Sequence, residues 1–442
     1  KYHVVIANPP YMNSGGMNGR LKSWSSDIYP SSKADLFSMF IERNYSLAME
    51  RGLVAMITMQ SWMFLTSFEK LRSKMLAEST ILTMAHLGER GFDTIGGVVV
   101  STTAFVFMNS NNPTQMGDYL RLIDGGSELE KSTMAIEAIK NRRCGWFFNA
   151  SSDDFQKIPE APVAYWLSRK VREAFSFPKI GEFFEVKEGL GTRDDPRFLR
   201  SFWEVDYSKI RFNPNEKEKW VPTDKAGGFR KWFGSNETVM NWEDDGYEIK
   251  NFEKSVPRNT QYFFKDAVSW GKVATGRPSF RLRTEQFAFV DAAPSAFGGD
   301  LHRLLASLNS CAVGQLLKIQ GSTVNVTVGT AKNLPYIKGI NEATSVECVA
   351  LAKQDWDSFE NSWDFTSLPL LNPDYHQPTL KATYQELRAH WREMTLEMQR
   401  LEQENNRIFI DAYGLQDELT PDVPLNEITL TCNPHYRYGN DK

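Results

Sequence analysis

No stretch of this 442-residue chain approaches the ~20 consecutive apolar residues of a membrane-spanning helix. The first residues also lack the tripartite pattern of a secretory signal. Cysteine is scarce: Cys144, Cys311, Cys348 and Cys432 are scattered without a Cys-x-x-Cys pair, so neither a disulfide framework nor a zinc site is suggested. The expectation is a cytoplasmic chain without membrane or metal. A Gly-rich phosphate turn after a first strand is missing too. The only compact pair of that kind, around Gly189, Leu190 and Gly191, opens no clear helix and reads as a loop. Neither Pro373-Asp374 nor Pro421-Asp422 is followed by the Glu-x-Lys of a common nuclease centre.

Net charge is only −4, but it is unevenly spread. Residues 1–168 carry 16 basic and 16 acidic side chains, 169–340 carry 27 and 21, and 341–442 carry 8 and 18. A polyanion would be held by the middle third, because phosphate contacts need Lys and Arg locally. Apolar content of 41% with 13% aromatics supplies ample core for two or three domains.

The most informative stretch is Asn8-Pro9-Pro10-Tyr11, directly after Val4-Val5-Ile6-Ala7. A β-branched run stopped by proline reads as a buried strand ending in a tight extended turn. Ligands of open α/β sheets bind outside the carboxyl ends of strands, and this turn stands at one. The Asn8 carbonyl oxygen and the Pro9 backbone carbonyl are two converging acceptors, suited to an amine with two hydrogens. Tyr11 adds a face on which a planar group can stack. A pocket for an exocyclic amine or an amide is one reading, and a plain turn is the other.

Apolar residues at helical spacing predict a helix over 33–51 ended by Gly52, and another over 64–76. Strands are expected at 53–58, 81–87 and 98–108. This order is the second half of a doubly wound, Rossmann-like sheet. The chain starts on the strand that carries the motif, so the half that binds a cofactor is expected to lie outside it. We read residues 1–115 as that half-sheet and 116–177 as a helical connector with helices at 132–141 and 162–175. Residues 178–340 read as a loop-rich, largely β region, with a strand through Val324, Val326 and Val328. Residues 341–442 read as an acidic, mostly helical region with a long helix over 380–409.

Three loops of the β region gather basic side chains: Arg193, Arg197 and Arg200, with Thr192 beside them; Lys225, Arg230 and Lys231; and Arg277, Arg281 and Arg283. Arg forks interleaved with aromatics are a usual means of holding phosphates and reading base edges. Surface charge and packing are the competing explanation for each residue taken singly.

In this order of elements the chain resembles adenine-specific, amino-group DNA methyltransferases, which carry an Asn/Asp-Pro-Pro-Tyr/Phe motif after the fourth sheet strand. It is most similar to the PglX methyltransferases of BREX phage-defence systems, through Gly189 to Leu199, Lys219 to Glu243, Asp355 to Glu360 and Asn406 to Leu415. The resemblance implies methyl transfer from S-adenosylmethionine to the N6 amine of an adenine flipped from double-stranded DNA, with Asn8, Pro9, Pro10 and Tyr11 catalytic. It implies 178–340 as a DNA target-recognition domain, other BREX proteins as partners, and Phe92 as a second stacking aromatic. The family's cofactor-binding residues have no counterpart here, so this stretch by itself is expected to be inactive. Two other functions are open: a DNA-recognition subunit that guides a defence complex, and an amide methyltransferase acting on a protein glutamine.

Overall fold

The computed structural model describes residues 1–92, 100–213, 217–273, 276–320, 325–340 and 343–439. They divide into two compact units, Lys1–Ser176 and Phe177–Lys442.

The first unit is built on a six-stranded mixed sheet. Strands β1 (Tyr2–Ala7) and β2 (Ala48–Met59) run parallel, with Ala7 level with Met56. Beyond them lie β4 (Thr102–Met108), β3 (Thr80–Gly88), β5 (Gly117–Arg121) and β6 (Phe147–Ala150). Strand β4 is antiparallel to both β2 and β3, so the ends Ala7, Met59, Gly88 and Thr102 share one rim. Helices α1 (Gly19–Ile28), α2 (Leu36–Leu47) and α3 (Glu69–Glu78) lie between the early strands, and α4 (Glu128–Lys140) joins β5 to β6.

Alternation along β2 explains the layering: Val54, Met56 and Thr58 are buried while Ala55, Ile57 and Met59 are half-buried. The buried set packs with Phe37, Ile41, Trp62, Leu71, Phe105 and Phe107 in one core. The opposite face carries Ala55, Ile57, Ala85, Ala104, Val106 and Leu120 along an apolar groove of about 620 Å³. Strand β1 is an edge strand, with Tyr2, Val4 and Ile6 exposed.

Several expectations change. Residues 116–177 are not a helical connector, because β5 and β6 extend the same sheet and only α4 and short helices lie among them. The helix expected over 162–175 shrinks to Arg169–Ala174. Gly52 does not end a helix. It lies inside β2, where a Cβ would meet the Met49 and Tyr2 carbonyl oxygens at 2.9 and 3.0 Å, so its role is close approach between strands. Residues 98 and 99 lie outside the described residues; the strand expected there begins at Thr102.

The second unit holds two four-stranded sheets. One has β13 (Ala288–Phe289), β9 (Trp220–Asp224), β10 (Thr238–Asn241) and β8 (Leu199–Ser201); the other has β12 (Phe280–Arg283), β11 (Ala267–Trp270), β14 (Ser295–Phe297) and β7 (Glu185–Lys187). Helices follow at Leu301–Leu308, Cys311–Gln320 and Ala343–Asp357, and a 34-residue helix runs from Leu380 to Tyr413. Gly189 passes so close to β13 that a Cβ would overlap the Phe289 carbonyl. The expected strand near Val326 is absent among the described residues. Val324 lies outside them, and Thr327 caps a short helix beginning at Val328 by accepting from the Thr330 N–H. No described helix is long and apolar enough to cross a membrane.

Arg72 of α3 fastens the segment after β2. Its buried guanidinium donates to the carbonyls of Trp62 (2.9 Å), Leu65 (2.6 Å) and Glu160 (2.8 and 3.2 Å). Arg72→Ala strands these acceptors and should cost roughly 3 kcal/mol. Arg72→Lys keeps the charge without the fork and should recover only part of it, as read by thermal denaturation.

Candidate active site

The motif forms the turn at the carboxyl end of β1. Pro9 is buried, Tyr11 is half-buried, and Asn8 and Pro10 are exposed. The Asn8 carboxamide forms no hydrogen bond with any described residue, so its acceptor oxygen is open to an incoming group.

Residues 34–36 hold the turn from behind. Asp35 caps α2 and accepts from the N–H groups of Met12 (3.0 Å) and Phe37 (3.3 Å). Leu36 N–H donates to the Met12 carbonyl at 2.9 Å, and Ser14 N–H to that of Ala34 at 3.0 Å. Burial raises the Asp35 carboxyl above its usual value despite these donors. Burial, then Asp35, raises the Tyr11 phenol. The Tyr11 ring meets Phe37 edge to face, 6.0 Å between centroids. Such contacts add about 0.5–1.5 kcal/mol to burial and orient the ring.

Phe92, expected to face the base, is half-buried in the loop after β3. Gly91 packs against Thr102, where a Cβ would come within 2.9 Å of Oγ1.

A polar chain not anticipated from the sequence occupies the same rim. His86 of β3 contacts the Tyr165 hydroxyl through Nδ1 at 2.9 Å and the Gln60 Oε1 through Nε2 at 2.7 Å. Burial, then Arg121 and Lys131, pulls its imidazole down to about 4, so the ring is neutral at neutral pH. The Gln60 carbonyl can only accept, which puts the His86 proton on Nε2 and leaves Nδ1 to accept from Tyr165.

The cation loops of the second unit separate into buried and exposed groups. Arg230 pairs with Asp355 at 2.8 Å, Arg283 with Asp224 at 2.6 Å, and Lys231 with Glu402, which also accepts from the Trp232 indole at 2.8 Å. Arg281 is fully buried, and burial, then Arg283, pulls its guanidinium down to about 10. Burial raises Asp224, but Arg283 and Arg281 outweigh it and hold that carboxyl below its usual value. Thr192 is buried and bonded to Asp195. Thr192, Arg230, Lys231, Arg281 and Arg283 are expected at DNA from the sequence; the structure corrects this, because all five are buried, and Thr192, Arg230, Lys231 and Arg283 are bonded to internal carboxylates.

Arg193, Arg197, Lys225 and Arg277 are about half exposed, each beside a carboxylate: Asp291, Glu248, Asp195 and Glu427 respectively. Arg200 is half-buried and donates to the Leu199 carbonyl at 2.6 Å.

The lining of the groove behind β1 does not match S-adenosylmethionine. Its charged side chains, Asp118 and Arg142, are paired with each other at 3.3 Å. The remaining lining is mostly aliphatic. Among the described residues, the lining of this groove forms no cradle for an amino-acid carboxylate and a ribose.

The Eco57I restriction-modification methylase family matches residues 1–92. Over 97% of its length the chain is 36% identical to an adenine-specific methyltransferase named PglX from Lacticaseibacillus casei (strain Zhang). Over its whole length it is 34% identical to an adenine-specific methyltransferase named BrxX from Escherichia coli O9:H4 (strain HS). It spans 38% and 36% of those two proteins. Among solved structures, the type IIL restriction-modification enzyme MmeI in complex with DNA matches 95% of this chain and 55% of its own, with a TM-score of 0.50 at 11% identity, a likeness of fold.

Glu402→Ala should cost about 3–5 kcal/mol by stranding the buried Lys231 ammonium. Arg193→Ala, at a half-exposed pair, should change stability by less than about 1 kcal/mol; chemical denaturation checks both. For His86 the folded value near 4 lies below the unfolded value of about 6.5, so the unfolded chain binds the proton first on acidification. Stability from the neutral ring is complete above about pH 6.5 and is lost toward about pH 4, by up to about 3 kcal/mol. His86→Asn should flatten that part of the stability profile.

Proposed function

From homology with PglX and BrxX along nearly the whole chain, we propose that it carries the target-amine side of a BREX-type, site-specific DNA adenine-N6 methyltransferase. The carrying observation is the exposed, unpartnered Asn8 carboxamide at the carboxyl end of β1, on a turn braced by Asp35.

The N6 lone pair of adenine is delocalised into the ring and is a poor nucleophile. Acceptors from the Asn8 side chain and the Pro9 carbonyl on its two hydrogens favour the pyramidal amine and localise that pair. This is stabilisation by fixed dipoles with positioning, and it requires no strong base. An adenine must leave the duplex to reach such a turn, at a cost of a few kcal/mol in unstacking. Tyr11 and Phe92 offset part of it by stacking. S-adenosylmethionine supplies an electrophilic methyl group in such enzymes.

In this reading the Phe177–Lys442 unit contains the DNA reader. Arg193, Arg197, Lys225 and Arg277 are its phosphate-facing cations, exchanging their present carboxylates for the DNA backbone, and Arg200 follows them at the same loop. Double-stranded DNA is the partner, together with other BREX defence proteins.

Asn8→Ala in the intact gene product should lower adenine-N6 methylation by at least about a hundredfold, measured by counting N6-methyladenine in substrate duplexes. Duplex affinity should stay near the unsubstituted value. Methylation at the original rate would overturn the reading.

A further inference from the structure

Gln60 directly follows β2, which lies in the sheet between β1, the strand that ends in the Asn8–Tyr11 turn, and β3, the strand followed by the loop bearing Phe92. Met56 of β2 is level with Ala7 of β1, so Asn8 leaves β1 beside Ile57, three residues before Gln60, on the groove that Asn8 and Ile57 both line. On the other side, the Gln60 N–H donates to the Ser101 carbonyl at 2.9 Å. Met59 and Gly88 both pair with Thr102, which puts the loop bearing Phe92 across the same rim. Strand spacing places the Gln60 and Asn8 backbones on the order of 10 Å apart. One purine held between two carboxamide side chains fills that gap.

The Gln60 side chain is held in one orientation. Its Oε1 accepts from His86 Nε2 at 2.7 Å, and the His86 Nδ1 accepts from Tyr165 at 2.9 Å. The imidazole is walled by Phe64, Tyr165 and Trp166, with ring centroids 5.9, 6.0 and 6.4 Å away. His86 is 4% exposed, so the ring has no room to turn. The Gln60 amide nitrogen, by contrast, has no hydrogen-bond partner among the described residues, although the residue is only half-buried. Two N–H donors are therefore aimed by a buried, neutral relay and left unused.

We propose that Gln60 reads the flipped base, donating one amide N–H to adenine N1 while Asn8 and Pro9 hold the N6 amine, with His86 and Tyr165 as positioning residues. The proposal rests on adenine methylation as the function. N1 neighbours the amino-bearing carbon, so a donor there and acceptors at N6 match the Watson–Crick edge of adenine. Guanine carries a hydrogen at N1 and an oxygen at position 6. It would meet a donor with a donor and two acceptors with a third.

The test uses the intact gene product and duplexes carrying either adenine or 1-deazaadenine at the target, the latter replacing N1 by C–H. The unsubstituted protein should methylate the deaza duplex roughly ten- to a hundredfold less efficiently in kcat/KM. Gln60→Ala should lose a similar factor on adenine and show almost no further loss on the deaza base. Gln60→Glu keeps the acceptor for His86, and with it the fold, but offers no donor, and should behave alike. His86→Leu should narrow the adenine-to-deaza ratio while methylation persists, which a merely structural role would not do. A ratio unchanged in the Gln60 variants overturns the proposal. Absence of any adenine methylation by the unsubstituted protein overturns the function it rests on instead.

Discussion

A cation removed from water must meet an anion, and the Phe177–Lys442 unit is built around that requirement. Lys231, Arg230 and Arg283 are nearly dry, and each touches a carboxylate: Glu402, Asp355 and Asp224. Two of these partners come from the acidic C-terminal helices. Stranding either charge would cost about 3–5 kcal/mol, so the β sheets and the helices of this unit stand or fall together. The basic middle third and the acidic last third are thus complementary parts of one body. Asn405 and Asn406 extend the same seam, bonding the Ala306 carbonyl at 2.9 Å and the Cys311 N–H at 2.8 Å.

The Lys1–Ser176 unit solves a different problem, that of keeping polar groups presentable at a strand end. Asp35 takes up the backbone donors of the turn and of α2, and Arg72 takes up the carbonyls of the segment after β2. With the backbone satisfied internally, the Asn8 carboxamide and the Gln60 amide nitrogen have no hydrogen-bond partner among the described residues. The two faces of the sheet differ accordingly: one is sealed by α2 and α3, and the other is an open aliphatic groove.

The motif turn was legible because its signal is local. Four consecutive apolar residues and two prolines are enough to specify a strand that stops, and the following helix and strand periods gave the half-sheet. The relay was not legible. His86 lies 26 residues from Gln60 and 79 from Tyr165, and only the strand order brings them together. The same holds for β5 and β6, whose short runs look like connector until β5 pairs with β3 and β6 with β5. It holds again for Gly52, which looks like a helix stop until β1 is laid against it.

Composition and local pattern determined that this chain has a strand ending in an Asn-Pro-Pro-Tyr turn, a half-sheet around it, and opposite charge in its second and last thirds. Tertiary structure decided which cations face water. Sequence displays charge but not burial: Arg230 and Arg193 are alike in a string, yet one meets Asp355, 125 residues away, in a dry core and the other lies half in solvent. It also decided which side chain the His86 imidazole meets, the Gln60 amide. A buried imidazole can aim a neighbouring side chain only after packing has fixed its own ring, and that packing is assembled from residues far apart in the chain.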